Sequence, residues 1–102
     1  MDFKDLASKL GIDEEDFMEL VELFVATSLG DIEKIKKSLS EKSCPDASAA
    51  SHSIKGAAAN MGFEDIARLS ADMEMQAKQG SLENFDSYIN DLEQMVNALN
   101  NA

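Results

Sequence analysis

The sequence predicts an all-α fold: an antiparallel up-and-down four-helix bundle with a short extra helix at its N-terminal end. Three observations carry that reading. Glycine and proline are sparse, five and one in 102 residues, while Ala, Leu, Met, Glu and Lys, which lose little freedom in a helix, are abundant. Apolar residues recur at spacings of three and four rather than alternating. The breaks between periodic segments are a few residues long, so each helix must run antiparallel to the one before it. At 44% hydrophobic content a chain of this length builds one core, so residues 1–102 are read as a single domain.

The elements follow in order. Phe3, Leu6, Ala7 and Leu10 share one face of a first helix closed by Gly11, short enough to lid one end of the bundle. The second begins with Asp13 as N-cap, Asp16 as a box-like partner three residues on, and Ile12 placed to staple onto Phe17. Phe17, Leu20, Val21, Phe24, Ser28, Ile32, Ile35 and Leu39 then recur at helical spacing, in a long helix with Gly30 as its bending point. Pro45 suits the first position of a third helix and Gly62 the left-handed position past its end, with Cys44 a loop or cap residue. The fourth runs from Phe63 to Gln79 with Ile66, Leu69, Ser70, Met73 and Ala77 inward; Gly80 ends it and Ser81 caps the next. The fifth packs Phe85, Tyr88, Ile89, Leu92, Met95, Val96 and Leu99. Met18, Met61, Met73, Met75 and Met95 read as core filler, and residues 97–102 as a fraying end.

Composition removes several function classes. A formal charge of −11 with no Lys/Arg cluster argues against nucleic acid, whose phosphates are held by grouped cations, and favours a protein partner. One Cys and one His cannot supply a structural zinc site or an internal disulfide, and the acidic run Asp13-Glu14-Glu15-Asp16 complements a helix dipole rather than holding a metal. The opening Met1-Asp2-Phe3-Lys4-Asp5 lacks the basic and apolar stretches of a signal peptide, and no apolar segment approaches membrane-spanning length. A cytoplasmic protein is expected.

The third helix carries the chemistry. Ala47, Ala50, Ile54, Ala58 and Met61 form its apolar stripe, and at 100° per residue His52 falls roughly 200° from Ile54, on the wet side. Ser48, His52, Lys55, Gly56 and Ala59 are neighbours on that outer strip at spacings of three and four. Glycine inside a helix costs about 1 kcal/mol relative to alanine, so Gly56 needs a reason. Helical side chains lean toward the N-terminus, and the residue four places on shields the turn below it; at Gly56 that shield is missing and the His52 ring stands open. No acidic residue falls between Asp46 and Glu64, so the helix itself offers nothing that repels a phosphate. Imidazole is partly neutral near pH 7 and one of its nitrogens can then attack phosphorus without a dedicated base. Lys55, one turn on, attracts the resulting dianion with about 1 kcal/mol or less once exposure and salt are counted.

His52-Ser53-Ile54-Lys55-Gly56, followed by Ala57-Ala58-Ala59-Asn60-Met61-Gly62, resembles the signature of histidine phosphotransfer domains. The similarity runs on through Ile66, Ala67, Leu69, Met73, Glu74 and Ala77 to Gly80. The resemblance implies that His52 is the phosphorylated residue, Lys55 the phosphate-side cation and Gly56 the clearance position. It further implies that Glu74 is a carboxylate able to hydrogen-bond the other ring nitrogen and fix its tautomer, and that Lys78, with Gln79 as second candidate, faces the phosphate. Ser48, Gly56 and Ala59 become partner-binding surface. The family often has serine after the Lys-Gly pair; here Ala57 and Ala58 remove any hydroxyl contribution from those positions.

What the resemblance implies for function is a phosphorelay intermediate, a carrier without kinase activity or cofactor of its own. It would accept a phosphoryl group from a histidine kinase or a receiver aspartate and donate it to a response-regulator receiver domain, which brings the acidic pocket and Mg²⁺. The sequence has no glycine-rich nucleotide loop, and a monomer is expected. Two other readings stand beside this one. The chain would be a non-catalytic helical adaptor, or the phosphoacceptor module of a larger sensor or chemotaxis kinase.

Overall fold

A computed structural model describes residues 2–100, and all their regular structure is helical: α1 (Phe3–Leu10), α2 (Glu14–Glu41), α3 (Cys44–Met61), α4 (Glu64–Lys78) and α5 (Phe85–Leu99). The last two residues of the expected fraying end lie outside the described residues; Asn97 to Leu99 are helical. At 1.5 Å rise per residue, the 28 residues of α2 span about 42 Å, which matches the 42 Å long axis of the molecule. This one helix sets the length against which the others pack.

α3 lies between α2 and α4, its most extensive contact being with α4, and α5 closes the ring against α2 and α4. The direction of packing can be read from paired residues. Phe24 meets Phe63 and Asp31 meets Ser53, so numbers rise along one chain segment as they fall along the other. That is the antiparallel bundle expected. α1 sits across one end, where Phe3, Phe17, Phe24 and Phe63 form a ring cluster with centroids 5.1–6.4 Å apart. Gly62 ends α3 at φ 81°, and a Cβ there would stand 2.9 Å from Leu6 Cδ2. Glycine is favoured there by the left-handed turn, and the Leu6 side chain of α1 packs down over it.

Several boundaries differ from expectation. α2 runs unbroken through Gly30, and Asp13 is its N-cap residue without a side-chain cap bond, so the acidic first turn acts through the dipole instead of a capping box. Leu20 is 40% exposed; the buried stripe continues through Val21, Phe24, Val25, Ser28, Ile32 and Ile35. Cys44 is the first residue of α3 and Pro45 the second, because Ser43 takes the N-cap and its Oγ accepts from the Asp46 amide at 3.4 Å. α5 is preceded by Asn84 in the left-handed region (φ 66°), whereas Ser81 accepts from the Glu83 amide inside the loop and caps nothing. Met73 is fully buried as core filler, but Met75 and Met95 face outward.

Candidate functional site

α3 is built for a bare outer face. Ala47, Ala50, Ile54, Ala58 and Met61 are buried as the stripe predicts, and small residues dominate what is left. His52 stands on the opposite side with 65% of its side chain exposed. An added Cβ on Gly56 would meet nothing within 4 Å, so this glycine serves no close helix approach and leaves open space one turn beyond the ring. Ala59 is exposed on the same strip. Ser48 is not: it is buried, so the open strip is narrower than spacing alone suggests.

The unexpected strength of the site lies in Glu74. It occupies an apolar-stripe position of α4, four residues after buried Ser70, and is only 5% exposed. Its Oε2 is 2.8 Å from His52 Nδ1 and 3.3 Å from Lys78 Nζ, while Oε1 accepts from Lys55 Nζ at 2.5 Å. The Lys55 ammonium, with Lys78 and His52, outweighs the cost of burial and holds the Glu74 carboxyl down to about 2. An ionised carboxylate only accepts hydrogen bonds, so Nδ1 is the protonated nitrogen of the neutral ring and Nε2 carries the lone pair. One carboxylate facing two ammoniums leaves a surplus of one positive charge around the imidazole, in a protein whose formal net charge is −11.

The structure thus brings His52, Lys55, Glu74 and Lys78 together. Lys55 and Lys78 reach the ring's surroundings through Glu74 rather than standing free on the strip. Gln79 joins Lys55, Ala71, Glu74, Met75 and Lys78 along a shallow groove between α3 and α4.

A second carboxylate enters from the other side, and the sequence reading missed it. Asp31 of α2 is 6% exposed, accepts from Ser53 Oγ at 2.8 Å, and has Lys34 Nζ 3.7 Å from its other oxygen. The signal was present: Asp31 falls in register with Ser28, Ile35 and Ser38, all buried, where a solvated charge does not belong. The acid-free stretch along α3 is therefore flanked by acids from both neighbouring helices, each bonded to an α3 side chain. Among the described residues no three His, Cys, Asp or Glu gather as a metal site requires, and no helix is long and apolar enough to cross a membrane.

The model of the Hpt domain family matches residues 19–102. The chain belongs to the Hpt domain family. Membership brings a phosphotransfer role in two-component signalling, in which such domains interact with kinases and receiver domains. The fold agrees. The chain is similar to the crystal structure of histidine-containing phosphotransfer protein B from Pseudomonas aeruginosa PAO1, with a TM-score of 0.84 and 24% identity, over 97% of this chain and 86% of that one. Among curated proteins no sequence matches this Hpt domain. The matched span starts inside α2, so α1 and the first turns of α2 precede the part matched by the family model.

Proposed function

We propose that this Hpt domain is a relay intermediate that carries the phosphoryl group on Nε2 of His52, taking it from a kinase or a receiver aspartate and giving it to a response-regulator receiver. The observation that carries the reading is the Glu74 bond to Nδ1. It leaves Nε2 as the nucleophile on the exposed part of the ring. The Nε2 lone pair forms the N–P bond as the P–O bond to the donor carboxylate breaks and that carboxylate leaves with its electrons. The ring, still protonated at Nδ1, becomes positively charged, and Glu74 meets that charge at 2.8 Å. Donation to the next receiver is the reverse, with a new carboxylate as nucleophile, so no general base has to be found.

Lys55 and Lys78 supply cations to the dianion once it is seated. Their pairing with Glu74 keeps them within a hydrogen bond of the ring's own partner, ready to share themselves with phosphate oxygens. Gly56 and Ala59 keep the approach low, so the receiver can bring its aspartate to the ring; the carrier itself hydrolyses no nucleotide and needs no cofactor of its own. A single surface of this kind, exposed in the lone chain, fits a cytoplasmic monomer that binds its partners in turn.

Wild-type protein incubated with a phosphorylated receiver or a cognate kinase should acquire label that is lost in acid, and His52→Gln should acquire none. Label that survives the substitution would move the acceptor elsewhere. Retained signalling through a His52→Ala chain would instead favour a non-catalytic adaptor.

A further inference from the structure

We infer that Lys78 is a positioning residue for the transfer chemistry, one that shares the Glu74 oxygen facing the His52 ring while the site is empty and so keeps the imidazole in its neutral, nucleophilic form. The inference rests on the relay reading and adds to it a task performed before any phosphate arrives.

The two oxygens of Glu74 are used differently. Oε1 accepts from Lys55, whereas Oε2 lies 2.8 Å from His52 Nδ1 and 3.3 Å from Lys78 Nζ. A buried carboxylate this close to an imidazole favours the imidazolium, which carries a proton on both nitrogens and has no lone pair to attack phosphorus. Left to itself, the anchor that selects the tautomer would therefore suppress the nucleophile. Lys78 answers that conflict. Its ammonium sits on the same oxygen as the ring, weakens the pull of that oxygen on a second ring proton, and with Lys55 makes a charged ring the third cation beside a single carboxylate. It stands four residues after Glu74 on the same helix, so the pair forms whatever the exact spacing of α3 and α4.

The surroundings leave this task to the two lysines. On α3, Lys55 is the only Lys, Arg, Asp or Glu between Asp46 and Glu64. On α4, Asp72 is exposed and falls roughly 200° around the helix from Glu74. From α2, Asp31 faces Ser53 and is paired with Lys34, so the charges on that side largely cancel. α5 packs against α2 and α4.

Phosphorylation changes the balance. A dianion on Nε2 competes with Glu74 for Lys78, whose side chain is 66% exposed and can turn outward. As the ammonium leaves Oε2 for a phosphate oxygen, that carboxylate oxygen recovers its full charge at the moment the ring becomes positive. In the loaded site two ammoniums and the charged ring balance the carboxylate and the dianion. Lys78 thus times the carboxylate: it is withheld from the ring at rest and released to it during transfer.

The test is the pH profile of loading by phosphoramidate, a small donor that needs no docking surface. Initial rates are expressed relative to wild type at each pH, so that the donor's own titration cancels. Imidazole changes charge between pH 5 and 8, so Lys78→Met should show a deficit at pH 6 at least about threefold larger than its deficit at pH 8.5. Lys78→Arg should restore the wild-type shape. Lys34→Met, which removes an equal charge beside the other buried carboxylate, should stay within about 1.5-fold of wild type throughout. In a Glu74→Gln background, Lys78→Met should no longer alter the shape. A deficit of equal size at both pH values would leave Lys78 as a phosphate contact only and overturn the inference, as would a pH 6 deficit that persists undiminished in the Glu74→Gln background. Failure of wild type to take label on His52 at every pH would overturn the relay reading and this inference together, a result distinct from either of these.

Discussion

The two sides of α3 are built alike and differ in what they gather. On each, a carboxylate from a neighbouring helix, buried to within 6% exposure, hydrogen-bonds an α3 side chain 22 residues away in sequence at 2.8 Å. Asp31 takes a hydroxyl and one loosely placed lysine; Glu74 takes an imidazole and two lysines. The first arrangement fixes how α3 lies against α2. The second does the same against α4 and in addition sets which ring nitrogen is free and how much positive charge surrounds it. A helix-positioning bond and a chemical site are thus separated here by the identity of the partners, not by the type of anchor.

The sharpest way to break this comparison is to truncate each anchor. Glu74→Ala should slow loading of His52 by phosphoramidate on the order of tenfold to a hundredfold, because the ring loses its fixed tautomer and the partner for its developing charge. Asp31→Ala should slow it far less. Equal losses on the two sides would mean that Glu74 merely holds the bundle together.

Acid should distinguish the Glu74 anchor next. Its carboxyl is held to about 2 in the folded protein against an ordinary 4.5. A group that binds its proton more weakly when folded stabilises the fold fully above its unfolded value. The stabilisation, about 3 kcal/mol, therefore stands above pH 4.5 and drains away as the pH falls toward 2. Urea titrations between pH 6 and 2.5 should show this slope, and Glu74→Gln should flatten it. An unchanged slope in that variant would place the acid sensitivity elsewhere.

For the other anchor the readout is stability at neutral pH. Asp31→Ala should cost about 1–2 kcal/mol through the lost charge-assisted bond to Ser53, seen as a lower urea midpoint. The smallest effects come from glycine. Gly30 and Gly56 are both helical, both open to an added Cβ, so alanine at either should raise stability by about 0.5–1 kcal/mol. Only at Gly56 should bulk carry a penalty in function: Gly56→Gln should reduce transfer to a receiver while Gly30→Gln leaves it at the wild-type rate. Equal transfer in both would remove the clearance argument.

Most of the bundle was legible because its helices obey one periodicity and end on residues with a physical reason to end them. Gly11 and Gly62 mark left-handed turns, and the α3 stripe from Ala47 to Met61 is buried residue for residue. His52 was placed on the wet face by the same arithmetic. Side-chain reach was less legible. Spacing along α3 put Ser48 on the open strip, but it is buried, and burial depends on how neighbouring helices pack, which one helix cannot report. Leu20 and Met95 likewise fit the stripe by number and turn out at its margin. Glu74 was assigned through family resemblance, and its triple bonding depends on two lysines from different helices converging. Asp31 had a sequence signal, a carboxylate in an apolar register, and was still passed over because no motif drew attention to it. Its partner Ser53 sat inside the recognised motif without a role.

The seat of α1 has a consequence for how the domain tolerates trimming. Leu6 occupies the space above Gly62, and Phe3 lies 5.7 Å from Phe17 and 6.4 Å from Phe63, all at the pole remote from the α2–α3 turn. A chain begun at residue 12 would keep every group that handles phosphate yet bare two aromatic rings to water. Such a fragment should remain chargeable on its histidine while becoming sticky, binding apolar dyes and self-associating. Purity of oligomeric state, more than activity, is what loss of these eleven residues should cost.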